Sequence, residues 1–164
     1  MAKLTASPFI IDEIKKTETL LRTATVDDSA ATPNKIEYSI GYGHQILDTE
    51  QHLMSILCDD TLATELMAHD ISKKIEPYVD RFVEKMGGCT QNQYDALVDM
   101  CYNCGPGCLE RDAVFGMILR SSDEEAIKDL WKMTRVTGMV NGKRQVLKGL
   151  QKRREKEANL FYTP

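Results

Sequence analysis

No apolar run in this 164-residue sequence is long enough to span a bilayer. The first seven residues also lack the apolar core of a secretory signal, and the short Phe9-Ile10-Ile11 run is followed at once by acidic Asp12 and Glu13. The expectation is a soluble protein made in the cytoplasm without a signal peptide and without stable membrane insertion. Excess positive charge is missing as well: the formal net charge is −4, which argues against nucleic acid as a partner. Cysteines number five, an odd count that argues against a secreted disulfide framework. Cys101-Tyr102-Asn103-Cys104 forms a C-x-x-C with Cys89 and Cys108 nearby, but a second ligand pair at zinc-ribbon spacing is absent, as is a thioredoxin-like setting. No repeat and no low-complexity linker interrupts the chain.

What remains is an ordinary globular balance, 42% hydrophobic and 28% charged, enough for one domain or two small lobes sharing a helix. Charge is unevenly spread. Between Lys143 and Glu157 seven basic residues face two acidic ones, a net +5 that leaves −9 for the remainder. Such a segment reads first as a solvated helix face, and second as a contact for an anionic envelope polymer.

Ser7-Pro8 is a helix start, a capping side chain followed by proline at the first helical position. Ile11, Ile14 and Leu21 recur at helical spacing with Glu18 on the same face, which predicts a helix ending near Leu21 or Arg22. Thr25-Val26 and residues 36–40 read as short strands around a turn-rich stretch, with Gly41 and Gly43 closing the second, a hairpin or small three-stranded sheet. Helical signals then dominate. Thr49 opens a short helix to about Cys58, and Asp60 caps a longer one that Pro77 ends or kinks. Thr90 to Gln93 is a capping box and Gly105-Pro106-Gly107 a break. Further helices are expected over residues 109–119, from a capping box at Ser122 to Glu125, and over residues 145–161, with a loop at residues 137–142. This is an α+β chain, predominantly α-helical, with its strands near the N-terminus.

Glu18 on an apolar stripe would lose hydration, and desolvation favours the protonated carboxyl, a proton donor near neutral pH. Asp27, nine residues on, supplies the second carboxylate that glycoside hydrolysis requires, although the adjacent Asp28 satisfies the spacing as well. The run Ser39-Ile40-Gly41-Tyr42-Gly43-His44 is more specific.

Together these pieces resemble the phage-type lysozymes, glycoside hydrolase family 24, in which a Glu ends the first helix, an Asp follows nine residues on, and a hydroxyl residue opens a T-I-G-x-G-H run. Thr90-Gln91-Asn92-Gln93-Tyr94-Asp95-Ala96-Leu97-Val98 is similar to the family's Q-x-Q-F-D-A-L-V helix, Tyr102-Asn103-Cys104-Gly105 to its Y-N-x-G, and Gly149 to Glu157 to its G-L-x-x-R-R-x-x-E. The resemblance implies a single lysozyme-like catalytic domain: a small sheet lobe at about residues 10–58, a connecting helix at about 60–80, and a helical lobe at about 81–164 against which the first helix packs, with the glycan between lobes. It implies Glu18 as the acid for the bond between N-acetylmuramic acid and N-acetylglucosamine, with Asp27 and Ser39 holding water on the opposite face of the sugar. That chemistry inverts the anomeric centre and uses no metal and no organic cofactor. Tyr42, Gln93 and Asn103 are candidate glycan contacts, since sugars pack on aromatic rings and need amides; core packing and helix capping are the competing roles. His44 reads as structural, with Asp70 as its expected partner. Cys101 and Cys104 fall where the family has buried small or apolar residues, which implies buried thiols. The implied partners are peptidoglycan strands and a separately made holin, for a monomeric enzyme acting at the cell wall; a tail-borne or secretion-delivered domain would use the same chemistry.

Three departures stand out. Ser39 replaces the usual Thr, Thr19 replaces the Gly that usually follows the Glu, and the separation from Glu18 to Ser39 is 21 residues, about six longer than usual. A surface hairpin absorbs such an insertion at small closure cost, and residues 29–35 are its expected place. Two other readings stay open: a lytic transglycosylase that cuts the same bond without water and needs no Asp, and a catalytically impaired glycan-binding module.

Overall fold

The computed structural model describes residues 3–27, 36–121 and 123–164. The expected insertion at residues 29–35, the alternative carboxylate Asp28 and the capping residue Ser122 lie outside the described residues. The chain divides into two compact units, Ile11–Ser72 and the segment up to Ile10 with Lys73–Pro164. The fold is α+β, mostly helical, with two small antiparallel sheets among the described residues.

Helix α1 spans Pro8–Thr17. Ser7 caps it as the sequence predicts, its hydroxyl oxygen accepting the Ile10 amide at 3.3 Å. The helix stops four residues before the expected Leu21. The threonine-rich stretch from Thr17 to Thr25 explains this, because β-branched side chains favour extended backbone. Thr17 also turns its hydroxyl back onto Ile14 O at 2.9 Å.

Strands β1 (Leu21–Val26), β2 (Tyr38–Gly41) and β3 (His44–Gln45) form one antiparallel sheet in that order. β1 is longer than the two residues expected. Leu21 pairs with Gly41 but Thr25 with Ser39, so β1 carries a bulge between these pairs. Gly41 sits at φ +65, and a Cβ there would stand 3.2 Å from both Ala63 Cα and Ala63 Cβ. Both the left-handed backbone and the close approach of the following helix require glycine.

A 3₁₀ segment, Asp48–Ser55, follows and starts at Asp48 rather than Thr49. Its end is fixed on β1 by the Cys58 amide donating to Arg22 O at 2.8 Å. Helix α2 (Asp60–Asp70) is capped by Asp59, whose carboxylate accepts from the Leu62 amide, and Asp60 is its first helical residue rather than its cap. Buried Ile14, Ile40, Ile46, Leu53, Ala63, Met67 and Ile71 make the core of this unit.

A π-helical turn, Ile71–Ile75, precedes α3 (Glu76–Met86), which carries Pro77 in its first turn. Proline lacks an N–H and its ring crowds the carbonyl four residues earlier, so the single long helix expected across about residues 60–80 widens into a π turn there. The sequence placed a kink at Pro77, and its cost falls on the preceding turn.

Helix α4 (Gln91–Cys104) starts at the predicted Thr90 capping box, and Tyr94 through Cys101 are all buried. A helix buried on every face is central to its unit, and α4 packs on the last helix, α8 (Lys148–Phe161). The single helix expected over residues 109–119 is two, α5 (Cys108–Arg111) and α6 (Ala113–Ile118), parted at Asp112, which is extended at ψ 134. Helix α7 (Glu124–Met133) is capped by Asp123. The expected loop after it is a hairpin, β4 (Thr137–Val140) and β5 (Lys143–Val146), turned by Asn141 and Gly142 with both φ positive. That is the signature of an Asn-Gly type I′ turn, and it delays α8 to Lys148. Phe82, Phe115, Trp131 and Phe161 run through the core with successive ring centroids 5.7, 5.3 and 5.4 Å apart.

The basic C-terminal segment is not simply a solvated face. Arg153 and Arg154 are buried, at 7% and 0% exposure. Arg153 donates to Asp99 through Nε at 3.0 Å and Nη2 at 2.6 Å, and Arg154 Nη2 lies 2.6 Å from Glu157 Oε1. Trp131 Nε1 donates to the other Glu157 oxygen at 3.0 Å. No helix among the described residues is long and apolar enough to cross a membrane.

Candidate active site

Glu18 follows the last residue of α1, and its amide still donates to Ile14 O at 3.1 Å, so the final helical turn fixes its backbone. Its side chain is partly exposed. Asp27 lies one residue past β1, where its amide donates to Glu37 O at 2.8 Å and prolongs the pairing of β1 with β2. Ser39 stands on β2 opposite Thr25, almost fully buried. Its hydroxyl donates to Asp27 Oδ2 at 3.0 Å. The strand pairing thus brings the two expected water-holding residues into direct contact, and all three expected catalytic residues belong to the unit Ile11–Ser72.

His44 opens β3 and pairs with Ile40, directly behind this strand. It is buried at 2% exposure, with Nδ1 at 2.8 Å from Asp70 Oδ2 and Nε2 at 3.0 Å from Glu50 Oε2. The hydrogen bond to Asp70 is the largest influence on the ring and raises its pKa; burial opposes this, and Glu50 adds to the rise. Glu50 also accepts the Leu47 amide at 3.1 Å, which ties β3 to the 3₁₀ segment. No local signal singles out Glu50, since its role depends on how the segment after β3 folds back.

Tyr42 is 8% exposed and its hydroxyl donates to Asp60 Oδ1 at 2.5 Å. Lys15 pairs with the same carboxylate at 2.8 Å and lies 5.6 Å from the Tyr42 ring centroid. This Tyr42–Asp60–Lys15 group holds α1, the β2–β3 turn and the start of α2 together. The hydrogen bond to Asp60 raises the Tyr42 pKa, and the hydrogen bond from Lys15 lowers that of Asp60.

Gln93 and Asn103 belong to the other unit. Gln93 Oε1 accepts the Thr90 amide at 2.9 Å and completes the α4 capping box. Asn103 Oδ1 accepts from Arg154 Nη2 at 2.9 Å. In the sequence Arg154 is one charge of a basic run and the second Arg of the R-R pair in the Gly149 to Glu157 likeness; its burial beside Asn103 comes from the packing of α4 on α8.

All five cysteines are free thiols. Within the C-x-x-C, Cys101 turns to Cys108, with sulfurs 3.9 Å apart, while Cys104 Sγ lies 2.9 Å from Arg154 Nη1. Among the described residues no group of three or more His, Cys, Asp or Glu side chains is arranged to hold a metal ion.

A family model described as phage lysozyme matches residues 15–157. The endolysin of Bacillus phage B103 is 31% identical over 133 residues, 81% of this chain and 46% of that protein. The endolysin of Lactococcus phage c2 is 30% identical over 127 residues, 77% of this chain and 48% of that protein. The chain therefore spans about half the length of the curated relatives it matches. Among solved structures, the muramidase domain of SpmX from Asticaccaulis excentricus superposes with a TM-score of 0.75 at 26% identity, covering 99% of this chain and 100% of that one. An endolysin from Escherichia coli O157:H7 phage FAHEc1 has the same fold, with a TM-score of 0.68 at 22% identity over 98% of this chain and 95% of that one. With the matched span reaching from before Glu18 to Glu157, the chain belongs to the phage lysozyme family.

Proposed function

We propose that this protein is an endolysin-type muramidase that hydrolyses the β-1,4 bond between N-acetylmuramic acid and N-acetylglucosamine in bacterial peptidoglycan, inverting the anomeric centre, in the service of host-cell lysis. The observation that carries this reading is the hydrogen bond from Ser39 to Asp27. A serine hydroxyl has one proton, and here it is given to Asp27. Its oxygen then has only lone pairs to offer a water molecule. A water donating one O–H to Ser39 Oγ and the other to the Asp27 carboxylate has its own lone pair left for the anomeric carbon. In this reading the water oxygen bonds to that carbon, Asp27 takes the water proton, and Glu18 protonates the leaving glycosidic oxygen. Both carboxyls return to their starting states by exchange with solvent.

The same hydrogen bond favours hydrolysis over a water-free transglycosylase route, which needs an acid but has no use for a water-holding pair. Family membership and the muramidase and endolysin relatives support peptidoglycan as the substrate.

The test is clearing of outer-membrane-permeabilised Gram-negative cells by the purified protein and by its Glu18→Gln variant, with mass spectrometry of the released fragments. The expected result is clearing that Glu18→Gln abolishes, with reducing muramic ends. Anhydro ends, one water lighter, would establish transglycosylation, and wall binding without clearing by a folded protein would establish a binding module.

A further inference from the structure

We propose that the β4–β5 hairpin and the start of α8 form a docking surface for a bilayer containing anionic phospholipid. The proposal does not depend on the cleavage chemistry above.

Among the described residues the hairpin is a two-stranded sheet with no third strand, and every residue of β5 is exposed. Isolated two-stranded hairpins are marginal in water, yet this one carries apolar side chains outward. Thr137 pairs with Val146 and Met139 with Arg144, so these four residues share one face. On that face Met139 is 66% exposed and Val146 50%. Met133, just before the hairpin, is 62% exposed.

Charge in this region has one sign. From Leu130 to Arg154 the sequence has no acidic residue. Several cations of this stretch are engaged inside the protein: Arg135 with Asp112, Arg153 with Asp99, Arg154 with Glu157 and, more loosely, Lys132 with Asp129. Lys143, Arg144, Lys148 and Lys152 remain, all exposed and none in an ion pair among the described residues. A protein of net charge −4 therefore concentrates four uncommitted cations beside its most exposed methionines.

This combination fits the boundary of a bilayer. Lipid phosphates attract the cations, and the apolar side chains enter the level between headgroups and acyl chains. A soluble polyanion would need the charges but gains nothing from Met139 and Val146. A second copy of the chain is disfavoured, because two such faces repel.

The test is co-sedimentation of the full chain with vesicles of mixed phosphatidylglycerol and phosphatidylcholine, against vesicles of phosphatidylcholine alone. Binding is expected only to the mixed vesicles and should fall with added salt. Each single change Lys143→Gln, Arg144→Gln or Lys148→Gln should weaken partition about fivefold. Met139→Ser, which leaves charge unchanged, should weaken it as well. All four side chains are exposed, so circular dichroism should show an unchanged fold. Equal binding to neutral vesicles, or no binding to either, would overturn the proposal. Charge variants that weaken binding while Met139→Ser does not, with soluble polyphosphate competing fully, would also overturn it and assign the face to polyanions. Loss of clearing activity with vesicle binding intact would count against the proposed function and leave this inference standing.

Discussion

Ser39 donates its hydroxyl proton to Asp27 Oδ2 across 3.0 Å, although twelve residues separate the two in the chain. Nothing local makes this pair. It arises because β1 and β2 are antiparallel, because Thr25 lies opposite Ser39, and because the Asp27 amide extends the ladder to Glu37.

If this pair holds the attacking water, the two residues act as a unit. Asp27→Asn is expected to lower kcat by about 10²–10⁴. Ser39→Ala should lower kcat by about tenfold, as loss of a single hydrogen bond of roughly 1.4 kcal/mol would do. KM should be unchanged in both, since neither group is proposed to bind the ground-state sugar. In the Asp27→Asn background Ser39→Ala should add little. Ser39→Thr keeps the hydroxyl with a stiffer χ1 and should retain activity. Steady-state rates on permeabilised cells check all four, and additive losses would separate the two residues.

Asp70 and Glu50 grip His44 from both ring nitrogens, and the Asp70 contact chiefly raises its pKa. A group whose folded pKa lies above its unfolded value of about 6.5 contributes stability fully below that value. The contribution is lost as pH rises through the folded pKa. Unfolding free energy should therefore fall as pH increases from about 6.5 upward, by an amount that Asp70→Asn reduces. Urea denaturation across this range, with NMR titration of His44, checks the sign. A His44 titration identical in wild type and Asp70→Asn would show that the contact does not control the ring.

The buried ion network of the helical unit predicts unequal costs. Asp99→Asn removes the buried carboxylate that Arg153 holds at 2.6 Å and leaves it the more distant Glu157 at 3.7 Å, which should cost about 3 kcal/mol. Trp131→Phe preserves most of the ring volume but removes the N–H that Glu157 accepts, a loss of about 1–3 kcal/mol. Both should appear as lowered urea midpoints. Trp131→Phe as costly as Asp99→Asn would mean that ring packing, and not the hydrogen bond, dominates there.

These relationships differ in how far the sequence displays them. Signals that act within four residues were legible: Ser7-Pro8 starts α1, the Thr90–Gln93 box starts α4, and Pro77 distorts the helix before it. Where two neighbours have the same chemistry, the sequence could not choose. Asp59 caps α2 in place of Asp60, and Asp123 caps α7, because backbone geometry selects among adjacent capping residues. The Asn141-Gly142 hairpin was missed because its flanks carry Gly138, Lys143 and Arg144 rather than an alternating apolar pattern. At the candidate site, Asp27 and Ser39 became a pair through likeness to a family, since a bulge and a strand register leave no mark in composition. Glu50 beside His44 and Arg154 beside Asn103 had no local signal at all; both contacts exist only once distant elements pack.

Gly41 combines two constraints that a double substitution can separate. Its φ of +65 is strained for any side chain, and a Cβ would meet Ala63 Cα and Cβ at 3.2 Å. Gly41→Ala should thus cost roughly 1–3 kcal/mol from backbone strain, and overpacking against α2 adds to it. Ala63→Gly alone removes a buried methyl and weakens the helix, so it should cost about 1 kcal/mol. In the double variant the contact with the Ala63 methyl is relieved, but the contact with the Cα of residue 63 and the left-handed backbone are not, so the combined loss should be smaller than the sum of the single losses yet larger than that of Ala63→Gly alone. Because Gly41 ends the strand that carries Ser39, activity should fall with Gly41→Ala and recover in part with the second change. Thermal unfolding and clearing rates on the three variants check both statements. Strict additivity would mean that the Ala63 methyl adds nothing to the cost, leaving the positive φ and the close approach of the α2 backbone as the reasons for glycine.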